Sequence, residues 1–360
     1  VRFWRAGLSP YDGDPHFVVP LLADCLSRWN PRVDPFFRHA EVQHFVAVRD
    51  GRDVGRIAST VDRVHDEFHG DRTGFFGWFE TENRPQTARA LLDAAADWLR
   101  ERGRDRVRGP LSYTTNGISG LLVADERPGP PVVEMAYNPS WYPGLVESWG
   151  LAPAKDLVAY WHDVQPEDDP RLTRITRRVI ERGKFRLRSI RTDRKGFAED
   201  VEHILRIYNA AWERNWGFVP MTADELRHQA AAFKPVLIPS LMLFAERDGF
   251  PVAFSLTLPD VNLMLARIRG RLWPWSVLTL LRWKRRMQTV RVITLGILPE
   301  CRGVGLDAAM IHESICRGRK LGITGAECSW MLEDNEAMLA SIRQTGAREY
   351  RRYRLYEKAL

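Results

Sequence analysis

Cysteine is scarce in this chain. Cys25, Cys301, Cys316 and Cys328 are its four cysteines in 360 residues, with no paired or metal-binding spacing. That excludes a disulfide-stapled scaffold and a zinc finger legible in the sequence. The four read as free thiols in a reducing compartment, so a cytoplasmic location is expected. Long apolar runs are also missing. The most apolar stretch, Leu272 to Trp283, contains Pro274 and Arg282 and is too short to cross a bilayer. No basic-then-apolar signal segment is seen at the start. Charge is plentiful but unevenly signed. Up to Gln165, 19 Lys/Arg stand against 23 Asp/Glu, and from Pro166 onward 34 stand against 23. The second half is therefore the better partner for an anion.

What is present fills two domains of ordinary size. In the first half, His44 to Val48 and Val54 to Val61 alternate in polarity around Asp50-Gly51, a hairpin signature. A strand at Thr73 to Glu80, an amphipathic helix at Gln86 to Arg102, a short strand near Val107, a helix near Tyr142 to Trp149 and a strand at Leu157 to Trp161 follow. Gln165-Pro-Glu-Asp-Asp-Pro170 reads as a linker. Beyond it the sequence predicts a helix from Arg171 to Glu181, a strand at Phe185 to Ile190, and helices at Val201 to Trp212 and Thr222 to Phe233. The last opens with a Thr222/Glu225 capping box. Leu241 to Glu246 and Val252 to Leu258 flank Asp248-Gly249 as a second hairpin. Further elements are a strand from Val290 to Leu298, a helix to Lys320, a strand at Ala326 to Met331, a helix at Asn335 to Gln344 and a Tyr-rich last strand. The halves thus share an element order without an alignable sequence repeat. The expected division is 1–165, a linker helix at 166–184, and 185–360 with an inserted segment at 262–289.

Within the second half, Pro299 ends the strand, and Arg302-Gly303-Val304-Gly305 leads into the helix-forming Ala308-Ala309-Met310-Ile311. A strand, a glycine turn and a helix N-terminus leave backbone N–H groups converging on one spot that suits a phosphate.

These residues resemble the cofactor loop of the GCN5-related N-acetyltransferases (the GNAT superfamily), Q/R-x-x-G-x-G/A, with Asp307 at the last position. The element order from about Phe185 to Leu360 is similar to that fold nearly end to end. The first half is similar more loosely and has Thr81-Glu-Asn-Arg-Pro85, without glycine, where the loop would stand. The resemblance is to a two-domain, tandem GNAT-like branch, and it implies an α/β fold of paired domains, each a mixed, mostly antiparallel sheet flanked by helices. It also implies an acyl-CoA donor, acetyl-CoA or longer, held by Leu295, Ile297, Leu298, Arg302, Gly303, Val304, Gly305, Leu306, Asp307 and Asn335. The activity it implies is transfer of the acyl group to a primary amine of a small molecule or peptide. The family's usual tyrosine acid falls on Ile342, which leaves Tyr350, Tyr353 and Tyr356 as replacements, Tyr350 foremost. Glu327 and Ser329 alternate on the strand that faces the acyl slot in that fold, so Glu327 is the candidate base.

Other features carry alternatives. Glu333 and Asp334 precede a helix, and Asp334 reads as its N-cap. His65-Asp-Glu-Phe-His69 lacks the glutamate of the zinc-protease motif and sits between strands with little room for a helix, so no metal is expected. The segment 262–289 joins apolar residues to seven cations. It reads as a buried lid, or as a platform for a long acyl chain, an acidic acyl carrier protein or an anionic membrane surface. Nucleic acid is not an expected partner. An aminoacyl-tRNA-dependent transferase and a non-catalytic ligand-binding homologue remain the alternatives.

Overall fold

The structure, a computed structural model, describes residues 1–270 and 287–360. Most of the expected 262–289 platform lies outside the described residues; its start is a helix, Asn262–Ile268. Twelve strands occur among the described residues. They are β1 (Ala40–Arg49), β2 (Arg52–Asp62), β3 (Thr73–Thr81), β4 (Arg106–Gly109), β5 (Leu121–Asp125), β6 (Ala152–Asp163), β7 (Phe185–Ser189), β8 (Leu243–Arg247), β9 (Phe250–Pro259), β10 (Thr289–Ile297), β11 (Gly325–Leu332) and β12 (Arg348–Ala359). None of the described helices is long and apolar enough to cross a membrane.

The chain forms two compact units, and they divide it differently from the expected 1–165, 166–184 and 185–360. The first comprises Val1–Leu157, Asn262–Thr279 and Arg351–Leu360; the second comprises Val158–Val261 and Leu280–Tyr350. The terminal strand therefore belongs mostly to the first unit, and the end of β6 belongs to the second. Strand partners are chosen by contacts remote in sequence, which a linear reading of composition does not register.

In the first unit the strand order is β1-β2-β3-β4-β12, with β5 also on β12. The β1–β2 hairpin turns on Asp50 (φ 51°) and Gly51 (φ 74°). Two consecutive positive φ values make the two-residue turn whose twist matches the strands, and Asp-Gly tolerates both. The helix Pro85–Arg100 buries Leu91, Leu92, Ala95, Ala96 and Leu99 against Ile57, Phe76 and Phe79. At roughly 2 kcal/mol for each large side chain removed from water, that stripe is what holds the helix. The sequence misses the helix Leu22–Arg28 and strand β5. It also misjudges His65 to His69, which lie in a helix, Arg63–His69. Asp62 accepts from Val64 N–H at its start, and Gly70 (φ 67°) closes it. Short helices made by caps leave little periodicity to read.

In the second unit the order runs from the end of β6 through β11, β10, β9 and β8 to β7. The β10–β11 pair is parallel, whereas β7–β8, β8–β9 and β9–β10 are antiparallel. Asp248 (φ 54°) and Gly249 (φ 82°) repeat the tight hairpin. The core joins Leu243, Phe244, Ala253 and Phe254 to Val201, Ile204 and Ile207 of the helix Arg194–Trp212, and to Leu306 and Met310 of the helix Leu306–Lys320. The capping box of the Ala223–Phe233 helix is present, with Thr222 and Glu225 bonded reciprocally.

Candidate active site

β10 and β11 pair only from Thr289↔Gly325 to Val292↔Cys328. β10 nonetheless runs on to Ile297, held on its other edge by β9 through Leu295↔Ser255, Gly296↔Phe254 and Ile297↔Ala253. β11 runs on to Leu332. Two parallel strands that part company in mid-sheet leave a wedge. Among the described residues, the backbone groups of β10 on the β11 side have no ladder partner there and are available to an extended ligand.

The mouth of the wedge meets the glycine loop. Gly303 (φ 73°) and Gly305 (φ 81°) both adopt the left-handed region. Gly305 is the N-cap of the helix Leu306–Lys320, and no side chain caps that end. Among the described residues, the first N–H groups of this 15-residue helix thus have neither an intrahelical acceptor nor a side-chain substitute. A Cβ at Gly303 would meet nothing within 4 Å, so the cradle is open. This fits a pyrophosphate. Asp307, in the first helical turn, would repel one if it faced the loop, but its carboxylate accepts a hydrogen bond from the Ser341 hydroxyl on the neighbouring helix Glu336–Arg343.

The other expected donor-binding residues divide into two groups. Ile297, Leu298 and Leu306 bury their side chains in the core. Leu295 is half-buried and Val304 is exposed. Arg302 spends its guanidinium on the protein, donating to Ile297 O at 3.2 Å and Ala211 O at 2.8 Å. It fixes the loop to the end of β10 and to the helix before it. Asn335, not Asp334, is the N-cap of Glu336–Arg343, accepting from Met338 N–H. Ile342 is buried beside Tyr160, Cys328 and Leu339.

Beside the last paired residues, three expected catalytic side chains come together. Glu327 is 0% exposed. Its Oε2 accepts from the Ser329 hydroxyl at 2.7 Å and its Oε1 from the Tyr350 hydroxyl at 3.2 Å. Arg291, which the sequence reading passed over, completes the group. It stands directly across from Glu327 in the parallel register, with Nε 3.0 Å from Ser329 Oγ and 3.4 Å from Glu327 Oε2. A buried carboxylate is tolerated when it is paired and hydrogen-bonded, as here. Tyr353 and Tyr356 are not part of this group. Both are fully buried in the first unit, where Tyr356 donates to Glu147.

The corresponding strands of the first unit, β3 and β4, do not part. After Phe75↔Arg108, Leu111 N–H donates to Phe76 O at 2.8 Å, and a Cβ on Gly77 would lie 1.5 Å from Leu111 O. At the following helix start, Glu82 accepts from the Thr87 hydroxyl at 2.6 Å, so a protein carboxylate sits where the second unit has its cradle. This unit instead packs Phe3, Trp29 and Trp78 around the buried Arg56, whose guanidinium carbon lies 5.0 to 5.7 Å from the three rings.

Among the described residues, Asp168, His312 and Cys316 lie close enough to share a metal ion, a grouping invisible to cysteine spacing. Each already has protein partners. Arg319 pairs with Asp168 at 2.7 Å, and the His312 nitrogens face the hydroxyls of Thr173 and Thr176.

No family model matches the chain. It is 36% identical over 358 residues to a protein of Caulobacter vibrioides named bacterial ceramide synthase, covering 96% of this chain and 91% of that one. It is 34% identical over 365 residues to protein YghO of Escherichia coli, covering 98% and 90%. The chain belongs to the family of these two proteins. Among solved structures, a tandem GNAT protein from the clavulanic acid biosynthesis pathway superposes with a TM-score of 0.55 at 15% identity, covering 99% of this chain and 94% of that one. The chain therefore has the tandem GNAT fold that the element order implies.

Proposed function

We propose that the protein is an N-acyltransferase that joins a fatty acyl group from acyl-CoA to the primary amine of a long-chain amino alcohol. The observation that carries this reading is the wedge between β10 and β11 opening beside the uncapped Gly305 helix. It supplies a channel for an extended thioester arm and a seat for its pyrophosphate. The acceptor class comes from the relative named bacterial ceramide synthase, since a ceramide is the fatty amide of a long-chain amino alcohol. The closed β3–β4 pair and Glu82 at the adjacent helix start support donor binding by the second unit alone.

In this mechanism the amine attacks the thioester carbonyl, and unpaired backbone N–H groups of β10 near Leu295 to Ile297 receive the developing oxyanion. Glu327 takes the ammonium proton through the Ser329 or Tyr350 hydroxyl, because the carboxylate itself has no exposed surface. The C–S bond breaks as the amide forms, and the thiolate takes that proton back from Glu327 through the same hydroxyls, so that CoA leaves as thiol. Much of the acceleration is positional, since both chains are held end to end.

A thermal-shift series with CoA esters of increasing chain length, read beside mass-spectrometric detection of the N-acyl product, tests this. Stabilisation that grows with acyl length and vanishes in Gly305→Trp is expected, because Val179 already stands 3.2 Å from where a Cβ would be. Absence of a shift with every thioester would sink the proposal.

A further inference from the structure

The helix Pro170–Gly183 separates two chemistries. Leu172, Ile175, Val179 and Ile180 are half-buried, and the last two pack on the second unit's core. Arg171, Arg174, Arg177, Arg178 and Arg182 are all exposed. At 100° per residue the five fall within an arc of about 140°, shared with one acid, Glu181. Lys184 and Arg186 continue the exposed positive surface past the helix end.

Several other arginines of this unit are paired. Arg188 is bonded to Asp200 and Glu246, Arg191 to Glu199 and Asp200, Arg227 to Glu202 and Asp224, and Arg317 to Glu313. Among the described residues, none of the seven cations on or just beyond the helix has a carboxylate partner. Arg171/Arg174, Arg174/Arg177, Arg174/Arg178 and Arg178/Arg182 stand three or four residues apart, where like charges cost a few tenths of a kcal/mol each. The fold carries that repulsion with Glu181 as the one acid on the face and no carboxylate bonded to any of the five guanidinium groups among the described residues.

We propose that this arginine face docks the protein on an anionic phospholipid surface. Guanidinium groups bind phosphate oxygens in pairs, and adsorption to an acidic bilayer grows with each cation held near it. The helix has no aromatic side chain on which a nucleotide base could stack, so the surface suits headgroups better than single-stranded RNA. Its position also matters: Val179 of the same helix lies over Gly305 of the donor loop. A lipid surface at this face would bring amine acceptors dissolved in it near the transfer site. The charge argument stands alone; this last step rests on the acyltransferase reading above.

The experiment is co-sedimentation of the whole 360-residue chain with vesicles of phosphatidylcholine alone or mixed with phosphatidylglycerol, at low and high salt and without substrate. Binding only to the phosphatidylglycerol vesicles, lost at high salt, is expected. The triple variant Arg174→Ala, Arg178→Ala, Arg182→Ala is expected to lower partitioning about 100-fold, roughly fivefold for each cation removed. The corresponding triple Lys variant should retain most binding and serves as a check on folding. Equal binding to neutral vesicles, indifference to the triple Ala variant, or tighter binding to RNA or an acidic carrier protein lost in the same variant would each overturn the proposal. The two readings fail separately. Acylation in detergent micelles without vesicle binding removes this one, and vesicle binding without any acylation removes the other.

Discussion

Glu327 keeps both carboxylate oxygens on hydroxyl groups that could pass a proton to or from the wedge. Replacing it by glutamine keeps its size and most hydrogen bonds but removes the basic oxygen. Glu327→Gln is expected to lower kcat by about 10²–10⁴ while the donor KM stays within a few-fold. Steady-state rates with unchanged kcat would return the residue to a structural role. Sequence alternation picked out Glu327 and Ser329 but passed over Arg291, a lone cation in an apolar strand. Its meaning depends on standing opposite Glu327, a register no single strand encodes. In the first unit, His44 binds the Tyr113 hydroxyl at 2.8 Å. Burial, aided by Arg56, pushes its pKa down from 6.5 to about 4. The unfolded chain therefore takes up this proton first as pH falls. The His44 contribution is present above pH 6.5 and is lost between 6.5 and about 4. His44→Gln is expected to reduce acid destabilisation across that window by on the order of 2 kcal/mol, read from urea melts at both ends of it.

At the scale of elements, two glycines in left-handed or crowded positions are expected to behave differently. A methyl group on Gly77 would collide with the Leu111 carbonyl, where backbone stands on both sides. Gly77→Ala is expected to cost about 3 kcal/mol or more in denaturant unfolding. Gly303→Ala meets no atoms and bears only its φ of 73°, about 1–2 kcal/mol. Equal costs would contradict the closed β3–β4 pair as the reason the first unit lacks a wedge. Both hairpins, the long helices and the glycine loop were legible, because Asp-Gly turns, 3.6-residue periodicity and a capping box are local signals. Strand β5 and the Arg63–His69 helix were not. One is five residues long, and the other depends on Asp62 reaching the Val64 amide.

At the scale of the whole molecule, the paired element order disclosed the duplication but not the exchange of strand ends between the units. β12 from Arg351 onward completes the first unit's sheet against β4, while β6 from Val158 onward joins the second beside β11. Tyr356, wholly buried in the first unit's core, is 191 residues beyond Gln165 in the sequence. A fragment of residues 1–165 lacks that strand and is expected to show no cooperative thermal transition, whereas the full chain shows one; a sharp melt for the fragment alone would refute the dependence. The exchange also sets a schedule during synthesis. At about 5–20 residues per second, the ribosome needs on the order of 10–40 s to go from the end of the N-terminal stretch to the strand that closes its sheet. Throughout that interval the nascent first unit presents β4 as an unfinished edge, a template for unwanted strand pairing. Folding of the earlier half is therefore timed by completion of the later one.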